Sequence, residues 1–283
     1  MPELPEVETI VCATREILVG SIITSGHFFR KDIRGPIPIE KIHKNIFGQV
    51  IRKVERRSKF MLVVTEGGSL VFHFGMTGVL KVLDQQEPVA LHTHAVFTIK
   101  EENSGKKQFI HFSDPRRFGL VDFLGPLPDD REKYFEGLGP EPLDPSLDLA
   151  QHLFDRSRKR HAPIKSFLMD GRNVVGVGNI YASESLFLVG VHPQAPCGAL
   201  DLQTFCKLGS SVQKVLKQAI RAGGTTFRDF RSIDGATGYF RTKLNVYGRN
   251  DEPCLKCDDT IKSIVLGGRS TFFCPSCQPN RAR

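Results

Sequence analysis

The 283-residue chain has no apolar run approaching the ~18 residues that a membrane-spanning helix needs. Its N-terminus is acidic and lacks the apolar core of a secretory signal, so a soluble, cytoplasmic protein is expected. A disulfide framework is absent too. The seven cysteines are odd in number; four crowd the C-terminal end, while Cys12, Cys197 and Cys206 are scattered. Acidic residues are in deficit, 31 against 39 Lys and Arg, and the net charge of +8 favours a polyanionic partner. With 40% hydrophobic and 25% charged residues the chain is globular, and its length suggests two domains.

What is present begins at the first residues, Met1-Pro2-Glu3-Leu4-Pro5-Glu6-Val7-Glu8-Thr9. An initiator Met before Pro is normally trimmed, which would leave Pro2 as a free secondary amine. Such an amine has a pKa near ~8, so a sizeable fraction is neutral and nucleophilic at physiological pH. It could attack a masked aldehyde to form an iminium. Glu3, Glu6 and Glu8 place carboxylates beside it, although anions at the start of a helix also have a purely structural use. Val7, Ile10, Val11, Ile17 and Leu18 recur at helical spacing and Gly20 stops the run.

From Ser21 to Leu124 the pattern changes to short β-rich runs: Ile22–Phe29, Gln49–Val54, Phe60–Thr65, Ser69–Phe74, Val79–Leu83, Ala95–Ile99, Phe109–Phe112 and Leu120–Leu124. Turn residues such as Glu66-Gly67-Gly68 separate many of them, which argues for one helix packed on an antiparallel β-sandwich. Three constellations stand out. Arg56-Arg57-Ser58-Lys59-Phe60 reads as a strand entrance, where Lys59 is either a phosphate clamp or a solvated edge. His73-Phe74-Gly75-Met76-Thr77-Gly78 is a sharp turn that sets Met76 at a loop tip, and Met is among the residues that DNA-distorting proteins wedge between bases. Asp114-Pro115-Arg116-Arg117-Phe118-Gly119 joins a guanidinium to an aromatic in one turn; the two could replace the hydrogen bonds and the stacking of a displaced base. His92 and His94 have metal-pair spacing but no third ligand, so a phosphate contact or plain surface is preferred.

Two turn-rich stretches, 125–130 and 137–143, mark a linker at 126–145 between a domain at 1–125 and a helical domain at 146–248. In the latter a helix over 151–160 ends in the basic run Arg156-Ser157-Arg158-Lys159-Arg160-His161. Pro163 opens a short helix, Ile164–Met169. The glycines of Val175-Gly176-Val177-Gly178 then make a tight turn from which Asn179 would cap the next helix. No strand precedes that turn, which argues against a dinucleotide fold. A last helix runs from Leu202 to Ile220 and stops at Gly223-Gly224. Residues 224–240 are polar, Gly-rich and loop-like, suited to a lid over a base pocket.

The region 249–283 holds Cys254-x2-Cys257-x16-Cys274-x2-Cys277, which predicts one structural four-thiolate Zn2+ site. Leu266-Gly267-Gly268-Arg269 reads as the end of a β-hairpin with Arg269 at its tip. The interval is too short for a helical finger, so the hairpin would probe backbone or minor groove.

Taken together, MPELPEVET, RRSKF, HFGMTG, DPRRFG, LGPEPL, VVGVGNIYASESLF, GGTTFRDF and the paired CxxC motifs resemble the bacterial formamidopyrimidine-DNA glycosylases over essentially the whole chain. The resemblance implies an α+β fold: an N-terminal helix and β-sandwich, a helix-two-turn-helix domain and a zinc-finger hairpin. It implies a monomeric, nucleoid-associated repair enzyme for double-stranded DNA carrying oxidised purines or abasic sites. Pro2 would be the nucleophile at C1′ and Glu3 the acid/base. Lys59 and Arg269 would contact phosphates and assist strand cleavage. His73, Asn179 and His92 would contact DNA, and Met76, Arg116 and Phe118 would fill the void left by the extruded base. Relatives often carry Lys or Arg where this chain has His161, which moves that contact to Arg160. An endonuclease VIII-like enzyme for oxidised pyrimidines and a non-catalytic damaged-DNA-binding zinc protein are the alternatives.

Overall fold

A computed structural model describes residues 2–224 and 244–280. They form two compact units: one holds the chain up to Glu136 together with Gly223 and Gly224, the other Gly137–Ala222 and the residues from 244 on.

The first unit opens with helix α1 (Leu4–Leu18), whose buried Leu4, Val7, Ile10, Val11 and Leu18 form one apolar stripe. Two four-stranded antiparallel sheets follow. One has the order β1 (Ser21–Phe28), β6 (Thr93–Glu101), β7 (Lys107–Ser113), β5 (Val79–Leu83). The other runs β2 (Lys53–Arg57), β3 (Phe60–Thr65), β4 (Gly68–His73), β8 (Leu120–Leu124). A single core joins α1 to both sheets through residues such as Val11, Ile23, Val54, Phe72, Phe97 and Phe112. The short helix α2 (Ile39–Asn45) contributes Ile42.

Two sequence expectations shift here. The run Gln49–Val54 is not one strand: Val50 only bridges to Ile22, and β2 begins at Lys53. Arg56–Phe60 leads into β3, as expected, and in doing so closes a hairpin with β2. Arg57 pairs with Phe60, leaving Ser58-Lys59 as a two-residue turn, and Ser58 takes the positive φ (56°) that such a turn demands. The stretch read as a linker holds a short helix, α3 (Pro128–Tyr134), whose Tyr134 hydroxyl donates to Asp122 on β8 at 2.7 Å.

The second unit contains α4 (Leu149–Ser157), α5 (Ile164–Met169), α6 (Asn179–Val189) and α7 (Leu202–Arg221). Asp148 and Asp201 cap α4 and α7, accepting from Gln151 N (3.0 Å) and Thr204 N (2.8 Å). Helix α7 is strongly amphipathic, whereas α6 is buried on all sides from Ile180 to Phe187. Hairpin β9 (Lys262–Leu266) and β10 (Arg269–Phe273) belongs to the same unit. Gln278 ties it to the segment after α6, donating to Val191 O at 2.8 Å while accepting from Cys274 N at 3.1 Å.

Candidate active site and nucleic-acid interface

Pro2 and Glu3 sit buried at the head of α1. The Glu3 backbone N–H donates to Glu6 Oε2 at 2.8 Å, so Glu6 serves the helix start while remaining 3% exposed. Two side chains dock α1 on β2. Glu8 Oε2 accepts from Arg56 Nε at 2.6 Å, and Arg15 Nε donates to Val54 O at 3.0 Å. Arg56 also donates to Ser58 O (3.0 Å), inside the turn that carries the half-buried Lys59. The helix that follows Pro2 and Glu3 and the turn bearing Lys59 are thus linked to each other through one guanidinium.

His73 ends β4. Its Nδ1 accepts from Gly75 N at 3.0 Å, so the proton of the neutral ring sits on Nε2. Burial, with Arg34 and Lys59 nearby, pushes its pKa down to about 4. The imidazole is therefore a neutral N–H donor at physiological pH, a form suited to a phosphate oxygen.

Asp114 is fully buried and clasps the two candidate wedge loops. One carboxylate oxygen accepts from the Thr77 hydroxyl and from Arg116 N (3.3 Å); the other accepts from Gly119 N at 2.6 Å. Gly75 (φ +57°) makes the close approach possible, because a Cβ there would lie 2.3 Å from the Phe118 carbonyl carbon. The clasp brings together Met76 and Phe118, both over 40% exposed, and sets the Arg116 guanidinium 4.8 Å from the Phe118 ring centroid. His92 is exposed with φ 70°, and its carbonyl accepts from Asp114 N at 3.0 Å. His94 corrects the surface reading: it is 4% exposed and Nε2 donates to Asp114 O at 2.8 Å.

In the second unit Asn179 does not cap α6. Gly178 holds the N-cap position and Asn179 is the first helical residue. Its Oδ1 accepts from Lys165 Nζ, and its Nδ2 donates to Ser270 O at 3.0 Å. Lys165, 1% exposed, also donates to Thr271 Oγ1 at 2.6 Å, so it couples the start of α6 to strand β10. Arg269 is exposed beside the turn Gly267-Gly268, whose φ values of 56° and 71° are those of a tight two-residue hairpin. Arg160 is exposed, and its guanidinium donates to Asn173 Oδ1 at 3.3 Å. The suggested lid, 224–240, falls outside the described residues but for its first position.

The four cysteine sulfurs lie within 4.8 Å of one another, with Sγ–Sγ distances of 3.5 Å (257–274 and 257–277) and 3.8 Å (254–277). Sulfurs at the corners of a tetrahedron about 2.3 Å from zinc stand ~3.8 Å apart, so the cluster fits one four-thiolate Zn2+. Backbone N–H groups of Lys256 and Cys277 point at Cys254 and Cys274 sulfurs (3.4 Å each), supporting thiolate charge.

Three family models match the chain: the formamidopyrimidine-DNA glycosylase N-terminal domain over residues 1–121, its H2TH domain over 138–231, and the zinc finger found in FPG and IleRS over 251–280. The chain is 44% identical to the formamidopyrimidine-DNA glycosylase of Alteromonas mediterranea, over 98% of this chain and all of that one. The chain belongs to the formamidopyrimidine-DNA glycosylase family. The corresponding protein of Alcanivorax borkumensis is 45% identical at the same coverage. Lactococcus lactis Fpg, solved with DNA containing an abasic site, superposes with a TM-score of 0.86 at 31% identity, over 98% of this chain and 100% of that one. MutM from Thermus thermophilus gives 0.83 at 34% identity, over 98% of each chain. As a family member the protein is a DNA glycosylase and abasic-site lyase. Among the described residues no helix is long and apolar enough to cross a membrane.

Sequence reasoning missed Lys165 and Glu184. Lys165 could have been flagged as the lone charge in the apolar helix IKSFLM. Glu184, 3% exposed on α6, accepts from the backbone N–H groups of Asn245, Val246 and Tyr247 at 2.8–3.0 Å. Nothing in local sequence reveals that pairing across 61 residues.

Proposed function

We propose that this family member excises oxidised purines, 8-oxoguanine and formamidopyrimidines, from double-stranded DNA and then cleaves the strand by β,δ-elimination. The observation that carries this reading is the Arg56 link, which holds the Pro2-Glu3 head of α1 in register with the Lys59 turn. Pro2, as a terminal amine, attacks C1′ of an extruded nucleotide and displaces the base. The iminium acidifies the neighbouring sugar protons, and successive eliminations release the sugar. Glu3 exchanges the protons these steps require, while Lys59 and Arg269 hold flanking phosphates and assist elimination. His73, His92, Arg160 and Asn179 contact the DNA backbone; Met76, Arg116 and Phe118 fill the gap left by base flipping. The zinc hairpin and the helical region, residues 146–283, serve DNA binding, and residues 1–125 serve catalysis. The protein acts as a monomer in the cytoplasm, on the nucleoid.

Solved relatives support the substrate class. A Lactococcus lactis Fpg mutant has been solved with a Fapy-dG containing DNA, and a MutM protein with a carbocyclic 8-oxo-G containing DNA. The comparisons lend no support to an oxidised-pyrimidine enzyme or a non-catalytic binder. Borohydride trapping on duplexes carrying 8-oxoguanine or an oxidised pyrimidine tests the reading. A covalent adduct forming preferentially on the 8-oxoguanine duplex is expected; no adduct on either duplex, or preference for the pyrimidine, would overturn it.

A further inference from the structure

Among the exposed large apolar side chains of the first unit, four stand on separate segments that share one anchor: Phe29 (43%), Met76 (41%), Leu91 (84%) and Phe118 (46%). All four segments are hydrogen-bonded to one buried pair, His94 and Asp114, themselves joined at 2.8 Å. Phe29 N donates to His94 O at 2.9 Å. Asp114 N donates to the carbonyl of His92, the neighbour of Leu91, at 3.0 Å. The Asp114 carboxylate accepts from Thr77, the neighbour of Met76, and from Gly119, the neighbour of Phe118. His94 lies where the β6–β7 register shifts between Thr93 and Ala95, and a bulge of this kind re-aims a side chain.

We propose that Leu91 and Phe29 extend the wedge surface and pack on deoxyribose faces and base edges in the minor groove of DNA that has been kinked at a lesion. This rests on the reading of Met76 and Phe118 as wedges. Leu91 is 84% exposed, so its side chain contributes little burial energy to the free protein and is available to pack on a partner. Straight B-DNA, with a minor groove only ~6 Å wide, does not admit a rim of four such side chains. Wedging bends the duplex toward the major groove and opens the minor groove, which brings apolar sugar faces within reach. Arg116 and Arg117 are exposed on the Phe118 segment, and Arg30, which pairs with Asp32 at 3.3 Å, follows Phe29; these segments thus carry positive charge as well as apolar side chains. Phosphate contacts bind any duplex, whereas an apolar rim rewards only the bent one. Leu91 and Phe29 are therefore specificity-determining residues that raise preference for kinkable, damaged sites.

The test measures affinity of the zinc-loaded full chain by fluorescence anisotropy, using one duplex with a stable tetrahydrofuran abasic analogue and one intact duplex. Leu91→Ser and Phe29→Ser are each expected to weaken binding to the abasic duplex about five- to tenfold, to change intact-duplex binding less than twofold, and to leave the salt slope unaltered. Leu91→Met, which keeps an apolar side chain, is expected to retain the preference. Equal losses on both duplexes, no loss on either, a changed salt slope, or a Leu91→Met defect as large as that of Leu91→Ser would overturn the proposal. Phe118→Ala separates the two levels. If it abolishes the preference while Leu91→Ser and Phe29→Ser do not, only the extended rim fails; if it too leaves the preference intact, the wedge reading fails with it.

Discussion

Glu8 and Arg56 form a largely buried ion pair, 2.6 Å between Oε2 and Nε, that joins the first helix to the first hairpin. Arg56 stands two residues before the Ser58 carbonyl it also binds, so the pair transmits the position of α1 directly to the turn carrying Lys59. Removing one partner leaves the other charge poorly compensated in a desolvated site. Glu8→Gln is expected to lower unfolding free energy by about 1–3 kcal/mol in urea titrations. It should also slow borohydride trapping more than it weakens DNA binding, because it loosens the register of the two elements to which the proposed chemistry is assigned.

The chemistry assigned to Pro2 requires a free secondary amine. Pro2→Gly should depress base excision severely. A tag fused in front of Pro2 converts the amine to an amide, so such a protein should bind an abasic duplex yet yield no borohydride adduct. Adduct formation by the tagged protein would remove Pro2 from the mechanism.

His73 makes stability depend on pH. Its pKa falls from an ordinary value near ~6.5 to about 4 on folding, so the unfolded chain binds the proton more tightly between those values. Stability from this group is complete above pH ~6.5, declines as pH falls toward 4, and changes no further below that. The full effect is on the order of 3 kcal/mol. His73→Gln should flatten the stability profile between pH 6.5 and 4, measured by urea unfolding.

Gly75 permits the Met76 and Phe118 loops to touch. Gly75→Ala combines a positive φ, costing about 1–2 kcal/mol, with overlap against the Phe118 backbone. Preference for an abasic-analogue duplex over an intact one should drop at least tenfold in the mutant. Thermal melting checks that the sandwich still folds.

Four thiolates closing one site make the hairpin metal-dependent. Chelation, or Cys257→Ser, should abolish DNA binding while the separate core of residues 2–136 keeps its β-sheet circular dichroism. Unchanged affinity after chelation would argue against a role for the hairpin and Arg269 in binding.

Much of this protein was determined by local sequence. Alternating β-rich runs with Gly-containing turns specify the antiparallel strands, because side-chain period and turn chemistry act within a few residues. The CxxC pairs specify the metal site for the same reason, since each pair is one tight turn. Pro2, Lys59 and the Met76 and Phe118 loops were legible as residue types suited to a chemistry. Their mutual placement was not. Sequence suggested that Asn179 caps a helix; the fold instead spends its side chain on Lys165 and the Ser270 carbonyl, 91 residues away. Sequence left His94 as a phosphate contact or plain surface; in the fold it lies at a register shift and faces inward onto Asp114. Arg56 looked like part of a basic edge until the docking of α1 supplied Glu8, 48 residues distant, as its partner. Such pairings depend on which buried charge or carbonyl lacks a partner after the chain has collapsed, and burial makes that decision only when the tertiary structure forms.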